Sequence, residues 1–151
     1  ASFFVDDISL PEMYRALIDG SADRIVDAAR AVIADQPVLI HCTVGKDRTG
    51  IAIALLLAAA GVDEDAVISD YARTETLLPR ERNARVVAHL RRMHPEARHL
   101  EDLATRSPAP VMRAVLEDVT ARFGSAGDYL RAGGVTDDEV TALREVLIDR
   151  D

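Results

Sequence analysis

Apolar residues recur every three or four positions along most of this chain, a spacing that is typical of amphipathic α-helices. Pro, Gly and Ser separate the helical segments, and several segments open with a capping residue. Ser9 and Glu12, three residues apart, form a capping box, and Pro11 lies in the first turn, so a helix is predicted to start here. Thr136 is the expected N-cap of the last helix. We therefore predict seven or eight helices.

One segment departs from this helical pattern. Residues 37–41 form an apolar run that is typical of a central strand buried on both faces. A loop of residues 42–47 follows, and the next helix is predicted to begin near Arg48 or Thr49. That helix is apolar on nearly all sides, which predicts burial, and Gly61 is its expected C-cap.

A strand buried on both faces needs neighbours, and the sequence offers only residues 3–5 as a second, very short candidate. We therefore expect an α/β fold in which this chain supplies mostly helices and one strand, while the other strands lie in N-terminal sequence that it does not contain. An N-terminal fragment or a second chain is expected to complete the sheet. The alternative is that residues 37–41 are extended without sheet partners.

Composition and charge limit the possible functions. A chain of 151 residues, 48% of them apolar, can build one domain with one core. Its net charge of −8 argues against non-specific nucleic-acid binding, which needs a basic surface. One cysteine cannot form an internal disulfide, which is consistent with a reducing compartment. No signal peptide or transmembrane segment is visible, so we expect a cytoplasmic protein, or one secreted without a recognisable signal peptide.

The loop after the predicted strand has the features of a phosphate-binding loop. Backbone N–H groups at a helix N-terminus donate to phosphate oxygens, and Gly45 lets the backbone curl without steric cost. The Arg48 guanidinium can bind two oxygens at once. The same field stabilises a thiolate, so we expect Cys42 to be the nucleophile. The predicted substrate-binding residues are the six that follow it: Thr43, Val44, Gly45, Lys46, Asp47 and Arg48.

Three further groups complete the predicted chemistry. His41 is expected to fix the loop by hydrogen bonds, and the Thr49 hydroxyl is expected to donate to the catalytic sulfur. The leaving oxygen needs a proton, and Asp47 is the nearest carboxyl group that can supply it. Asp6 and Asp7 are alternatives on an upstream segment.

The order His-Cys, five residues, Arg, Thr resembles the signature of the cysteine-dependent protein tyrosine phosphatase superfamily. The four matching positions are His41, Cys42, Arg48 and Thr49. Residues 45–50 are similar to a narrower bacterial group that resembles mycobacterial protein tyrosine phosphatase B. Three later segments share this resemblance: residues 70–71, 123–125 and 129–131.

The resemblance implies a sheet-and-helix phosphatase fold, with residues 1–151 as a single domain or its C-terminal part. It implies that Asp47 is the general acid and that Lys46 is associated with activity on phosphoinositides as well as phosphotyrosine. It also implies a helical lid, whose counterpart here is residues 79–106, although the arginines of that region are alternatively a solvated face. No metal and no organic cofactor is implied.

The sequence thus predicts a phosphomonoester hydrolase that acts through a phosphocysteine intermediate and releases inorganic phosphate. Phosphotyrosine in proteins is the expected substrate, with phosphoserine, phosphothreonine and phosphoinositides as further candidates. The alternative is a phosphate-binding pseudophosphatase, or an inactive fragment that needs an N-terminal complement.

Overall fold

The computed structural model of this protein describes residues 7–148, and within that range the chain forms nine α-helices, one or two more than predicted. They are α1 (Leu10–Gly20), α2 (Ala22–Ala34), α3 (Asp47–Ala60), α4 (Glu64–Leu77), α5 (Arg80–Met93), α6 (Leu100–Thr105), α7 (Ala109–Phe123), α8 (Ala126–Ala132) and α9 (Asp137–Leu147). None of the helices within residues 7–148 combines the length and the apolar character that crossing a bilayer requires.

The capping residues mark helix ends as the sequence predicts. At α1 the Ser9 hydroxyl accepts from the Glu12 backbone N–H, while the Glu12 carboxylate accepts from the Ser9 backbone N–H. Thr136 and Glu139 form the same box at the start of α9. At the end of α3, Gly61 adopts a φ of 94°, a left-handed conformation that glycine takes without a Cβ clash.

Helix α3 lies at the centre of the core and packs against α1, α2, α4, α8 and α9. Helix α7 packs against α1, α4 and α8 and extends the same core. Because α3 is apolar nearly all round, its buried residues are spread around the helix: Ile51, Ala52, Ala54, Leu55, Leu56 and Ala60. This packing fixes the N-terminus of α3, and with it the loop that precedes the helix.

The α/β fold predicted from residues 37–41 is wrong, because no β-strand occurs in residues 7–148 and that part of the chain is all-helical. Residues 38–42 form an irregular connection after α2. Val38 is 39% exposed and Leu39 is 84% exposed, whereas a central strand would bury both. A strand also needs hydrogen bonds from a neighbouring strand, and no described segment supplies them. The second candidate, residues 3–5, lies outside the described residues.

Helix α5 lies at the periphery. It packs mainly against α6, and none of the residues described for α5 is buried. Val86, Val87 and Leu90 on its apolar face are half-buried. Helix α5 is therefore attached to the rest of the protein mainly through α6, whereas α3 packs against five helices.

Candidate active site

The loop before α3 curls around the sulfur of Cys42. Gly45 adopts a φ of 78°, a conformation that favours glycine, and its backbone N–H donates to the Cys42 sulfur over 3.2 Å. Helix α3 begins two residues later at Asp47, so the positive end of its dipole lies next to the loop. The arrangement can attract an anion and stabilise a negatively charged sulfur.

The surroundings of Cys42 favour the thiolate. Burial alone raises the pKa of this thiol, but hydrogen bonds from the Thr49 hydroxyl and from the backbone N–H groups of residues 44, 45 and 49 outweigh it and bring the pKa down to about 6. The Thr49 hydroxyl is buried and has no partner at full hydrogen-bond geometry among the described residues, so it remains available to stabilise a negative charge on the sulfur. At neutral pH the cysteine is therefore mainly ionised.

The residues of the loop next to Cys42 are largely exposed to solvent. The Arg48 guanidinium is exposed and donates to the Thr43 hydroxyl over 3.0 Å. His41 is exposed as well, and its Nδ1 lies 3.3 Å from the Cys42 carbonyl oxygen. Val44 is 37% exposed. The structure thus brings these predicted residues together around Cys42, with the guanidinium open to solvent.

Lys46 and Asp47 form an ion pair in which the lysine is buried. The Lys46 side chain is 1% exposed, and its Nζ donates to Asp47 Oδ1 over 2.5 Å. The same Nζ donates to the carbonyl oxygen of Arg106, just after α6, over 2.9 Å. The sole lysine of the chain therefore bridges the loop and a distant connection, and its predicted contact with substrate stays a prediction.

Two tyrosines that the sequence does not place in the predicted site join this pair. The Tyr14 hydroxyl on α1 donates to Asp47 Oδ1 over 2.7 Å and lies 2.6 Å from the Tyr71 hydroxyl on α4. Both tyrosines are buried. The sequence carries one signal for them: the chain has only three tyrosines, and a tyrosine on the apolar face of a helix needs a partner for its hydroxyl.

The two alternative acids do not lie in the loop. Asp6 lies outside the described residues. The Asp7 carboxylate accepts hydrogen bonds from the side chain and the backbone of Arg98, over 2.7 and 2.8 Å, and these hold the pKa of Asp7 below its ordinary value. Asp7 is thereby tied to the connection between α5 and α6, whereas Asp47 lies at the start of α3.

A cavity of about 280 Å³ opens beside the loop. Cys42, Arg48 and Thr49 line it together with apolar side chains of α1 and α2, among them Leu17 and Ile25. The thiol therefore lies on the wall of a space that a small ligand can enter. Within residues 7–148 no cluster of three or more His, Cys, Asp or Glu side chains is arranged to hold a metal ion.

The chain is similar to known proteins along nearly its whole length. Residues 6–149 match the model of a family described as the tyrosine phosphatase family. The chain is 34% identical over 125 residues to the triple specificity protein phosphatase PtpB of Mycobacterium tuberculosis, an alignment that covers 76% of this chain and 45% of the relative. It is 32% identical over 141 residues to a tyrosine-protein phosphatase of Nostoc commune, covering 90% and 48%. The chain spans about half the length of these curated relatives.

Proposed function

We propose, from the premise that this chain belongs to the tyrosine phosphatase family, that it hydrolyses phosphomonoesters through a phosphocysteine intermediate on Cys42. The observation that carries the proposal is the position of the Cys42 sulfur, which accepts a hydrogen bond from the Gly45 N–H over 3.2 Å beside the N-terminus of α3. The lowered pKa of this thiol, about 6, supports it. A thiolate is a competent nucleophile at neutral pH, and the same donors attract a phosphoryl group.

In the first step, the Cys42 sulfur attacks phosphorus, and an S–P bond forms as the P–O bond to the leaving group breaks. The leaving oxygen takes a proton from the Asp47 carboxylic acid. The Arg48 guanidinium exchanges the Thr43 hydroxyl for two phosphoryl oxygens, and the N–H groups of residues 43–48 donate to the same phosphoryl group.

In the second step, a water molecule attacks phosphorus and gives a proton to the Asp47 carboxylate formed in the first step. The S–P bond breaks, and inorganic phosphate leaves while Cys42 returns to the thiolate. The Thr49 hydroxyl favours the return of negative charge to the sulfur, as it does in the resting state. His41 keeps the loop in place through its contact with the Cys42 carbonyl oxygen.

Phosphotyrosine in proteins is the substrate class that we propose first. The Nostoc commune relative is described as a tyrosine-protein phosphatase, and the Mycobacterium tuberculosis relative as a triple specificity protein phosphatase. We extend the proposal to phosphoserine, phosphothreonine and phosphoinositides. For Lys46 to reach a phosphoinositide headgroup, its hydrogen bonds to Asp47 and to the Arg106 carbonyl must be exchanged for the ligand.

We also propose that residues 79–106 act as a helical lid within one phosphatase domain. Helix α5 has few packing contacts, and such peripheral elements move at low energetic cost. The far end of the segment is held more firmly, because Arg106 is tied to Lys46 through its carbonyl oxygen and to Glu75 through its guanidinium. A movement of the lid would therefore turn about this end.

Turnover of an aryl phosphate by the purified chain tests the proposed hydrolysis. We expect Cys42→Ser to lose at least about 10³-fold in kcat, because a weakly acidic hydroxyl replaces the thiolate. Arg48→Lys should also lose activity, because an ammonium group cannot bind two oxygens in one plane. The matched control is Arg113→Lys on α7, whose guanidinium pairs with Asp65 on the protein surface and whose replacement should leave turnover unchanged.

One result would contradict the proposal. If the purified chain binds inorganic phosphate in equilibrium dialysis but does not turn over any aryl phosphate, it is a phosphate-binding module. The alternative function, an inactive piece that needs an N-terminal complement or a second chain, would then be favoured.

A further inference from the structure

A chain of buried hydroxyl groups ends on the carboxyl group that the proposed mechanism uses as its acid. Resting on that proposed function, we propose that Tyr14, supported by Tyr71, is a positioning residue. It holds Asp47 through Oδ1 and leaves Oδ2 as the atom that carries and transfers the proton. Lys46 donates to the same Oδ1 and completes the arrangement.

The direction of the hydrogen bonds follows from the number of protons. A phenol has one O–H, and that of Tyr14 is donated to Asp47 Oδ1 over 2.7 Å. Because the Tyr14 and Tyr71 hydroxyls lie 2.6 Å apart, Tyr71 is the donor of the second bond. Burial raises the pKa of both phenols, so both keep their protons at neutral pH. Hydrogen bonds linked head to tail in this way strengthen one another.

Both tyrosines are held rigidly by helices that pack against α3. Tyr14 on α1 is 0% exposed, and Tyr71 on α4 is 4% exposed. Their rings meet edge to face with centroids 6.1 Å apart. Gly50 on α3 makes room for Tyr71, since a Cβ at this position would lie 3.0 Å from a ring carbon. The hydroxyls therefore have little freedom, and they restrict the side chain of Asp47.

Tyr14 and Lys46 both donate to one carboxyl oxygen of Asp47, so the two oxygens of this group have different roles in proton transfer. Asp47 Oδ1 accepts from Tyr14 and from Lys46, so its lone pairs are engaged. A proton on the carboxylic acid therefore resides on Oδ2. When Oδ2 gives this proton to the leaving oxygen, the new negative charge is shared with Oδ1, where the same donors stabilise it. The donors thus assist proton transfer without touching the substrate.

The test compares Tyr14→Phe with Tyr129→Phe. Tyr129 is a matched control, because it is also buried and its hydroxyl donates to the carbonyl oxygen of Ile18, away from the loop. We expect Tyr14→Phe to lose about tenfold in kcat on phenyl phosphate, whose leaving group needs a proton, with KM unchanged. On 2,4-dinitrophenyl phosphate, whose leaving group needs none, the loss should be less than about twofold. Tyr129→Phe should show no such difference between the substrates.

A second variant and a double mutant separate positioning from a general loss of structure. Tyr71→Phe removes the supporting donor and should show the same substrate-dependent loss in weaker form. In an Asp47→Asn background, Tyr14→Phe should cause no further loss on phenyl phosphate, because the two residues act as one unit. Equal losses of Tyr14→Phe on both substrates, or an additive loss in the double mutant, would overturn the proposal.

The positioning proposal and the proposed function can fail separately. If Cys42→Ser retains turnover, the phosphocysteine mechanism fails. If the chain has no turnover at all, urea unfolding of the same variants still tests the positioning. Tyr14→Phe and Asp47→Asn should then shift the unfolding midpoint non-additively, while Tyr129→Phe and Asp47→Asn should be additive. Additive shifts in both pairs would overturn the role of Tyr14.

Discussion

Helices α3 and α5 are both fourteen residues long, yet their surroundings are opposite. Helix α3 packs against α1, α2, α4, α8 and α9, and buries Leu55 and Leu56 among others. Helix α5 packs mainly against α6, and none of its described residues is buried. The sequence of α5 contains five arginines, whereas that of α3 contains only Arg48.

This difference shows which part of the protein can hold reacting atoms in place. A helix buried on many sides cannot move without opening the core, so the loop at its N-terminus keeps its geometry. A helix that packs mainly against one neighbour can shift at little cost. The hydrogen bond from Lys46 to the Arg106 carbonyl oxygen links the fixed region to the end of the segment that contains α5.

The largest effect is expected from the same truncation made in both helices. Leu55→Ala in α3 removes a side chain that is 0% exposed and should lower the free energy of unfolding by about 3 kcal/mol. Leu90→Ala in α5 removes a half-buried side chain and should lower it by less than about 1 kcal/mol. Urea unfolding followed by circular dichroism measures both values. Equal losses would remove the contrast in packing between the two helices.

A smaller effect is expected where α3 meets Tyr71. A Cβ on Gly50 would lie 3.0 and 3.2 Å from two carbons of the Tyr71 ring, so the ring must shift. We expect Gly50→Ala to lower the free energy of unfolding by about 1–2 kcal/mol, in spite of the higher helix propensity of alanine.

Gly20→Ala at the end of α1 is the control for this substitution. A Cβ there meets nothing within 4 Å, so the change should be neutral or slightly stabilising in the same urea unfolding experiment. If Gly50→Ala were as stable as Gly20→Ala, the Tyr71 ring would not be held firmly against α3.

The smallest effect is expected on the pKa of Cys42, which we attribute to groups at the start of α3 and not to the arginines of α5. Since the pKa of Cys42 is about 6, the residue is a thiol at lower pH and a thiolate at higher pH, and its alkylation by iodoacetamide should accelerate as the pH rises through that value. Thr49→Ala removes a donor to the thiolate and should raise the midpoint by about one pH unit.

Arg85→Gln on α5 should leave this midpoint unchanged, because the donors that lower the Cys42 pKa belong to the loop and to the first turn of α3. The rate of alkylation across the pH range, followed by mass spectrometry, measures both variants. A rise in Arg85→Gln as large as in Thr49→Ala would assign the low pKa to the arginines of α5 instead.

Features with a local cause could be predicted from the sequence. The capping box at Ser9 needs only Glu12, three residues away, and the end of α3 needs only a residue that tolerates a positive φ, which Gly61 supplies. The curl of the loop over the Cys42 sulfur is equally local, because its donor is the N–H of Gly45. The capping box, the end of α3 and the turn at Gly45 are therefore found at the positions predicted from the sequence.

Features with a distant cause could not be predicted in the same way. Residues 37–41 have the composition of a buried strand, but a strand also depends on neighbours, and Leu39 is 84% exposed. The burial of Lys46 depends on a carbonyl group sixty residues away, and the hydrogen bond from Tyr14 to Asp47 spans thirty-three residues. Periodicity indicates which face of a helix is apolar, not which polar group its tyrosine meets.

Substitutions of Lys46 and of Arg106 should affect the hydrogen bond between these two residues differently. The acceptor is a main-chain oxygen, which every amino acid has, so replacing Arg106 changes the charge near the site without deleting the acceptor. The donor is a side chain, and shortening Lys46 deletes it. A library that randomises position 106 can therefore vary the electrostatic environment of the site while retaining the main-chain tether, whereas position 46 offers no comparable freedom.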